Sequence, residues 1–266
     1  MKQRNLIKIL ATTFLLLFFF NIGLNAAAAK GLHWYIKRVK CKAPIFPPES
    51  EEITCYDTYF IDRKASKNGE KKIYLTFDAG YENGNIEKIL DILKDEGVPA
   101  AFFLLDNIII KNTDLVIRMS DEGHLVCNHT KNHKNLSAAS ENEIKNDLCA
   151  LEKIYKEKTG REMSKYFRFP EGAYSIDAIK CVQKLGYKTI FWSFAYDDWD
   201  NGRQPNLERA TKKVLDGTHE GAVMLFHPTS DTNAKILPEL IKEWRQMGYE
   251  FGTLDDLTAN NDLGDN

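Results

Sequence analysis

One pattern recurs from about residue 72 to residue 253: an amphipathic segment, a glycine, then a short apolar run rich in β-branched and aromatic residues. Gly97, Gly123, Gly186 and Gly248 each close a helical period just before the next apolar run. A glycine there supplies the left-handed residue that ends a helix. Short apolar runs alternating with helical patterns are the strands of βα units in a mostly parallel sheet. This grammar excludes all-α and all-β folds and leaves a barrel or a doubly wound sheet.

The predicted strands cover 72–78, 99–105, 124–128, 166–169, 188–194, 222–227 and 249–253. The predicted helices cover 86–96, 113–122, 141–158, 176–185, 206–216 and 235–247. Ser140 and Glu143 have capping-box spacing, and Thr113 and Ser175 are predicted N-caps. Polar residues choose between the two architectures. Asp78, His129, Arg168, Asp198 and His227 follow five different apolar runs. An open sheet would spread them along an edge, whereas a barrel turns them toward one mouth. A barrel is therefore expected, incomplete relative to eight strands.

The flanks read differently. Residues 1–29 begin with Lys2, Arg4 and Lys8, continue with an uncharged run over 9–24, and end in Ala26–Ala29. That is a secretory signal pattern. The run is shorter than the ~20 apolar residues of a spanning helix, so cleavage is expected rather than an anchor, and membrane contact only through this segment if it stays. Without these residues the net charge falls from −2 to about −5, which argues against nucleic-acid binding. Residues 30–70, with Pro44, Pro47, Pro48 and several aromatics, read as an irregular arm packed on the main domain of 71–258; 259–266 reads as a polar tail. Cys41 and Cys55 are candidates to pair after export, and Cys127, Cys149 and Cys181 read as buried thiols.

The chemistry rests on residue types and their surroundings. His129 and His133 lie four apart in a polar setting, so a helix or tight loop puts both rings on one face for a metal. Taken alone, a pair of surface histidines is the commoner outcome. Asp78 ends an apolar run beside Gly80, where a carboxylate can approach a substrate; the bland reading is a turn cap. Arg168 is suited to keep a carboxylate ionised, or is a surface arginine. Trp199, next to Asp198, can stack on a sugar or simply pack. His227, after Leu225 and Phe226, is a candidate proton donor. His124 and His219 stand near strand starts and receive no role. A carboxylate, a pair of imidazoles and a further imidazole are parts of a metal-assisted hydrolase.

Five motifs in order carry a resemblance: TFDAGYENG at 76–84, NHTKNH at 128–133, RFPEG at 168–172, DW at 198–199 and LFH at 225–227. Over about residues 70–258 the chain resembles the polysaccharide deacetylases of carbohydrate esterase family four. The YENG after Asp78, the WSFA segment and PTSDTNAKIL after His227 resemble the spore-associated peptidoglycan N-acetylmuramic acid deacetylases. The resemblance implies a deformed (β/α)7 barrel. It implies Asp78 as catalytic base, Arg168 as the residue orienting it, His227 as general acid and Asp198, or else Asp197, as its support. It further implies His129 and His133 as metal ligands, Leu225 as a wall of the acetyl pocket, and Trp199, Tyr81 and Gly172 as substrate-binding residues. The implied cofactor is a divalent metal, expected to be zinc. The implied partner is the peptidoglycan glycan strand, met by a secreted monomer in the cell envelope or the spore intermembrane space.

The chain departs from the family pattern at three places. Ala79 replaces an aspartate that is the third metal ligand, Phe169 replaces a proline, and Ala195 opens the fourth motif. Glu82 and Asn83 are the nearest candidates to replace the lost ligand. The expected reaction is removal of N-acetyl from N-acetylmuramic acid on the way to muramic δ-lactam. The alternatives are N-acetylglucosamine deacetylation in peptidoglycan or chitin-like glycans, and a glycan-binding protein with impaired catalysis. A glycosidase with paired carboxylates leaves the ordered histidines unexplained.

Overall fold

The structure, a computed structural model, describes residues 31–262. The signal segment expected at 1–29 lies outside the described residues. Eight short strands form the central sheet: β1 Thr58–Tyr59, β2 Lys72–Ala79, β3 Ala100–Leu104, β4 Leu125–Asn128, β5 Tyr166–Phe167, β6 Lys188–Ile190, β7 Ala222–Phe226 and β8 Glu250–Phe251. Their order is β7-β2-β3-β4-β5-β6-β1, with β8 also on β2, and every pairing is parallel. Two isolated bridges, Ile61 with Ala222 and Phe194 with Met224, draw the far edge of the sheet onto β7. The result is the deformed (β/α)7 barrel, its ring completed at one seam by single bridges.

The strands are apolar because both faces are covered. All five residues of β3 and all five of β7 are buried. Inside one core, Phe77 and Phe102 stack with centroids 5.0 Å apart. The helices turn one stripe inward. Ile86–Asp95 buries Ile86, Ile89, Leu90 and Leu93, the i, i+3, i+4, i+7 positions of one face. Gly97, Gly123, Gly186 and Gly248 all have positive φ, as a helix-ending residue needs. Ser140 and Glu143 form the capping box, and the Ser175 side chain accepts from the amide of Ala178.

Several expectations change. The arm is ordered. It contains a hairpin of Lys37–Val39 with Lys42–Ile45 and helices Ser50–Ile53 and Arg63–Asn68, and it contributes β1 to the sheet. Trp34 anchors it, stacked on Phe191 at 4.7 Å and bonded through its indole N–H to the Trp192 carbonyl. The predicted strand 188–194 breaks after Ile190. The Ile190 carbonyl accepts from Arg168 and the Trp192 carbonyl from Trp34, while the amides of Ser193 and Phe194 turn to Val223. The helix expected at 235–247 begins at Asp231, capped by Ser230. Thr113 is inside its helix, and its hydroxyl donates back to the Ile109 carbonyl. Of the tail expected at 259–266, residues 259–262 are instead the end of helix Leu254–Asp262, tied down by Asn260 and Asn261 on Asp62 and Ile61, and 263–266 lie outside the described residues. Cys41 and Cys55 are unpaired, and Cys149 is exposed rather than buried. Among the described residues no helix is long and apolar enough to cross a membrane.

Candidate active site

The register of the sheet brings the polar groups to one level. Phe226 pairs with Phe77, so His227 follows β7 beside Asp78 near the end of β2. Asn128 pairs with Phe167, so His129 and Arg168 leave β4 and β5 side by side. Parallel strands present their C-terminal ends on the same rim.

Arg168 is fully buried and organises that rim. Its Nη1 donates to Asp78 Oδ1 at 2.7 Å, its Nη2 to Thr76 Oγ1 at 2.9 Å and its Nε to the Ile190 carbonyl at 3.0 Å. The guanidinium plane lies 4.1 Å from the Phe103 ring centroid. Each of the three nitrogens thus has an acceptor, which is what a charged group needs to be tolerated in the interior. Burial pushes the Asp78 carboxyl up, but the charge of Arg168, its hydrogen bond and the His227 side outweigh it and hold Asp78 below the ordinary carboxylate range. Asp78 Oδ1 is committed to Arg168, which leaves Oδ2 as the free acceptor.

His129 and His133 are brought together by a loop, not a helix. Thr130 and His133 take positive φ, and Asn128 pins the turn by accepting the Thr130 amide while donating to the Leu148 carbonyl and Tyr187. The two rings meet edge to face with centroids 5.1 Å apart. The Nδ1 of His129 faces the Arg168 carbonyl at 2.9 Å; a carbonyl only accepts, so Nδ1 carries the proton. Burial lowers the pKa of this ring to about 4, so it is neutral and presents Nε2, 3.5 Å from Asp78 Oδ2.

On the opposite side, His227 Nδ1 meets Asp198 Oδ1 at 2.8 Å and the His227 amide donates to Asp198 Oδ2, also at 2.8 Å. Asp198 is fully buried, while Asp197 is exposed, so Asp198 is the partner. Burial works against protonating His227, but Asp198 and then Asp78 outweigh it and raise its pKa above the ordinary imidazole value. The bond at Nδ1 leaves Nε2 facing outward.

The remaining expected residues divide. Leu225 is buried on β7 directly before this pair. Trp199 is 63% exposed and Tyr81 is 47% exposed; the Asn201 amide donates to the Tyr81 hydroxyl, so both aromatics belong to neighbouring rim loops. Gly172 is elsewhere in role. It is packed under Trp34 and Trp192, where a Cβ would come 2.8 Å from the Trp192 ring, so the absence of a side chain serves packing of the arm. His219 is spent on Gly217 and Ser193, and His124 lies against Phe102 in the core. Sequence reading missed Thr76, Tyr196, Gln204 and Asn233. All four are ordinary polar residues inside strand, loop or helix patterns, without a spacing that marks them.

A catalytic metal centre ordinarily has three protein ligands and an open position. Here two imidazoles stand ready, but Ala79 is buried and carries no donor. Glu82 is used to cap the helix through the amides of Gly84 and Ile86, and Asn83 donates to the Thr229 carbonyl at 2.8 Å. Neither replaces the lost carboxylate. Among the described residues no group of three His, Cys, Asp or Glu is placed to hold an ion. The donor set does not fit a three-ligand centre.

A carboxylate held by the buried Arg168 and an imidazole held by the buried Asp198, brought to one rim by paired parallel strands, are the parts of a hydrolase's acid–base pair. The model of the polysaccharide deacetylase family matches residues 65–190. The chain is 36% identical to the peptidoglycan-N-acetylmuramic acid deacetylase PdaA of Bacillus subtilis over 90% of both chains. The solved structure of that protein, a family 4 carbohydrate esterase, superposes with a TM-score of 0.81 at 33% identity, over 86% of this chain and 97% of that one. The Listeria monocytogenes peptidoglycan-N-acetylglucosamine deacetylase PgdA is 35% identical over 73% of this chain and 40% of its own length. A Bacillus anthracis family 4 pseudoenzyme is 26% identical over 71% of this chain and 65% of that one, with a TM-score of 0.65. The chain belongs to the polysaccharide deacetylase family. PdaA and PgdA are deacetylases of peptidoglycan sugars, and removal of an N-acetyl group is amide hydrolysis.

Proposed function

We propose that this protein removes acetyl groups from N-acetylmuramic acid in peptidoglycan strands, outside the cytoplasmic membrane. The support is the likeness to PdaA along nearly the whole chain, together with the signal pattern of residues 1–29. The single observation that carries the chemistry is the placing of two partnered groups at paired strand ends: Asp78, held by Arg168 at 2.7 Å, and His227, held by Asp198 at 2.8 Å.

An amide resists hydrolysis because its leaving amine must be protonated as it departs. Asp78 Oδ2, free of Arg168, takes a proton from the attacking water. Arg168 keeps Asp78 charged and turned toward the cleft. Asp198 holds Nδ1 of His227, so the ring delivers its proton from Nε2 to the amine. Leu225 walls the acetyl group, and Trp199 and Tyr81 offer aromatic faces to the sugar. Each acid–base role is worth ~10²–10⁴ in rate. Zinc, the ion expected for the family, has only the His129 and His133 imidazoles here, and such a pair binds weakly.

The test is incubation with defined glycan fragments bearing muramic acid with and without its peptide, followed by mass measurement. Acetate release with deacetylated muramic acid, or its δ-lactam, is the expected result. Deacetylated glucosamine instead would transfer the reading to the activity of PgdA. The lost carboxylate at Ala79 favours one second reading, a glycan-binding protein like the pseudoenzyme; glycan binding without acetate release would establish it.

A further inference from the structure

We infer that Asn233 is a positioning residue for the acid pair, locking the Asp198 carboxylate so that one oxygen stays on the His227 ring. The inference rests on the acid role proposed for His227. Asn233 lies in the first turn of helix Asp231–Gln246, yet its side chain does not cap that helix; Ser230 does, accepting the Asn233 amide at 3.1 Å. Instead Asn233 Nδ2 donates to Asp198 Oδ2 at 2.6 Å and to the His227 carbonyl at 3.1 Å. A carboxylate only accepts, so this contact fixes which end of the amide is nitrogen. The Oδ1 end then accepts from the Tyr196 hydroxyl. Both ends of a buried amide are thereby satisfied, as burial demands.

The geometry explains why the residue is neutral. Asp198 Oδ2 already receives the His227 amide, which leaves the carboxylate free to rock about that point. A second donor on the same oxygen holds its plane and keeps Oδ1 on Nδ1. A lysine or arginine in this place would also donate, but its charge would oppose protonation of His227. An amide orients without that cost. The helix start is in turn clipped to the Asp198 loop: Ser230 donates to Gln204 Oε1 at 2.6 Å, and Gln204 Nε2 donates to the Asp200 carbonyl at 2.9 Å. Ring, carboxylate, amide and loop are joined by one chain of hydrogen bonds.

Three variants test this in the full protein: Asn233→Ala, Asn233→Asp and Asn233→Ser. On a glycan substrate, Asn233→Ala lowers kcat about tenfold to a hundredfold and leaves KM within about twofold, because the substrate is not touched. Asn233→Asp has the same shape and still accepts from Tyr196, but it sets a carboxyl against Asp198. Adjacent carboxyls raise each other's pKa. On acidification the new carboxyl gains a proton and can donate, so the ratio of its kcat to that of Asn233→Ala rises as pH falls. Asp198, His227 and Tyr196 face position 233, with Asp78 and Arg168 beyond His227; the new carboxyl also raises the pKa of Asp198 and His227, so the ratio is read on the acidic side, where the His227 ring is protonated in both variants. A ratio flat with pH, or wild-type kcat in Asn233→Ala, overturns the inference. Asn233→Ser, with a short donor, carries the comparison should the alanine variant not fold. A readout independent of turnover is the His227 tautomer by 1H–15N spectroscopy. Wild type holds the Nδ1–H form when the ring is neutral, and Asn233→Ala becomes a mixture. An unchanged tautomer sinks the positioning role; a wild type that never releases acetate sinks the proposed function instead.

Discussion

At the scale of single residues, the site is decided by which buried charges have partners. Arg168 is fully buried and the Asp78 side chain is 9% exposed, and losing Asp78 leaves the arginine uncompensated, which costs up to ~3–5 kcal/mol in comparable pairs, while losing Arg168 leaves the carboxylate without its partner. Arg168→Leu is therefore expected to lose both activity and several degrees of Tm, measured by thermal unfolding. The pH signs differ for the two proton carriers. Asp78 has a lowered pKa, so its contribution to stability is present above the unfolded carboxyl value and is lost as pH falls through the folded one. His227 has a raised pKa, so its contribution is present below the unfolded imidazole value of about 6.5 and is lost as pH rises through the folded one. Activity is expected to fall on the alkaline side above that value. Asp198→Asn should move that limb to lower pH, and a pH–rate profile that stays in place would remove Asp198 from its role. Ala79→Asp restores a carboxylate beside His129. It should tighten zinc binding by more than about tenfold in calorimetric titration, with lower stability before metal is added than after. The groups at strand ends were legible because a polar side chain closing an apolar run is conspicuous. Asn233 was not, because an asparagine in a first helical turn looks like any capping residue, and only the fold shows that its amide points at Asp198.

At the scale of elements, legibility followed length. Glu141–Thr159, with 19 residues and a full capping box, was readable to within a residue at its end. Ser140→Ala removes that box and is expected to cost ~1 kcal/mol, read as a lower midpoint in denaturant with unchanged slope. Strand β1 has two residues and no apolar period, so nothing in its sequence separates it from the arm. The run 188–194 has the composition of one strand. Its carbonyls, however, are taken by Arg168 and Trp34, and its later amides cross to β7, so hydrogen-bond partners far away in sequence cut it short. Asp231–Gln246 starts earlier than its apolar period because Ser230 caps a first turn made of polar residues. That polar turn is what sets Asn233 under the acid pair.

At the scale of the whole molecule, the arm and the site are one mechanical system. Trp34 packs on Phe191, Phe60 and Phe46, and its amide bonds the Gly172 carbonyl while its indole bonds the Trp192 carbonyl. The same backbone stretch supplies the Ile190 carbonyl that orients Arg168, and Arg168 orients Asp78. The arm thus stands three contacts from the carboxylate: Trp34 to the 190–192 backbone, that backbone to Arg168, and Arg168 to Asp78. Trp34→Ala opens a cavity among aromatic rings, a change that costs ~3–5 kcal/mol. If the arm only adds core, the folded variant keeps its kcat. If it braces Arg168 through residues 190–192, kcat falls at temperatures well below the midpoint of unfolding, where the population is still native. We expect the second outcome, with kcat reduced severalfold and KM less affected, because displacement of the Ile190 carbonyl turns the guanidinium and with it the free oxygen of Asp78. Turnover and thermal unfolding measured on the same preparation separate the two, and an unaltered kcat in a destabilised Trp34→Ala would reduce the arm to packing alone.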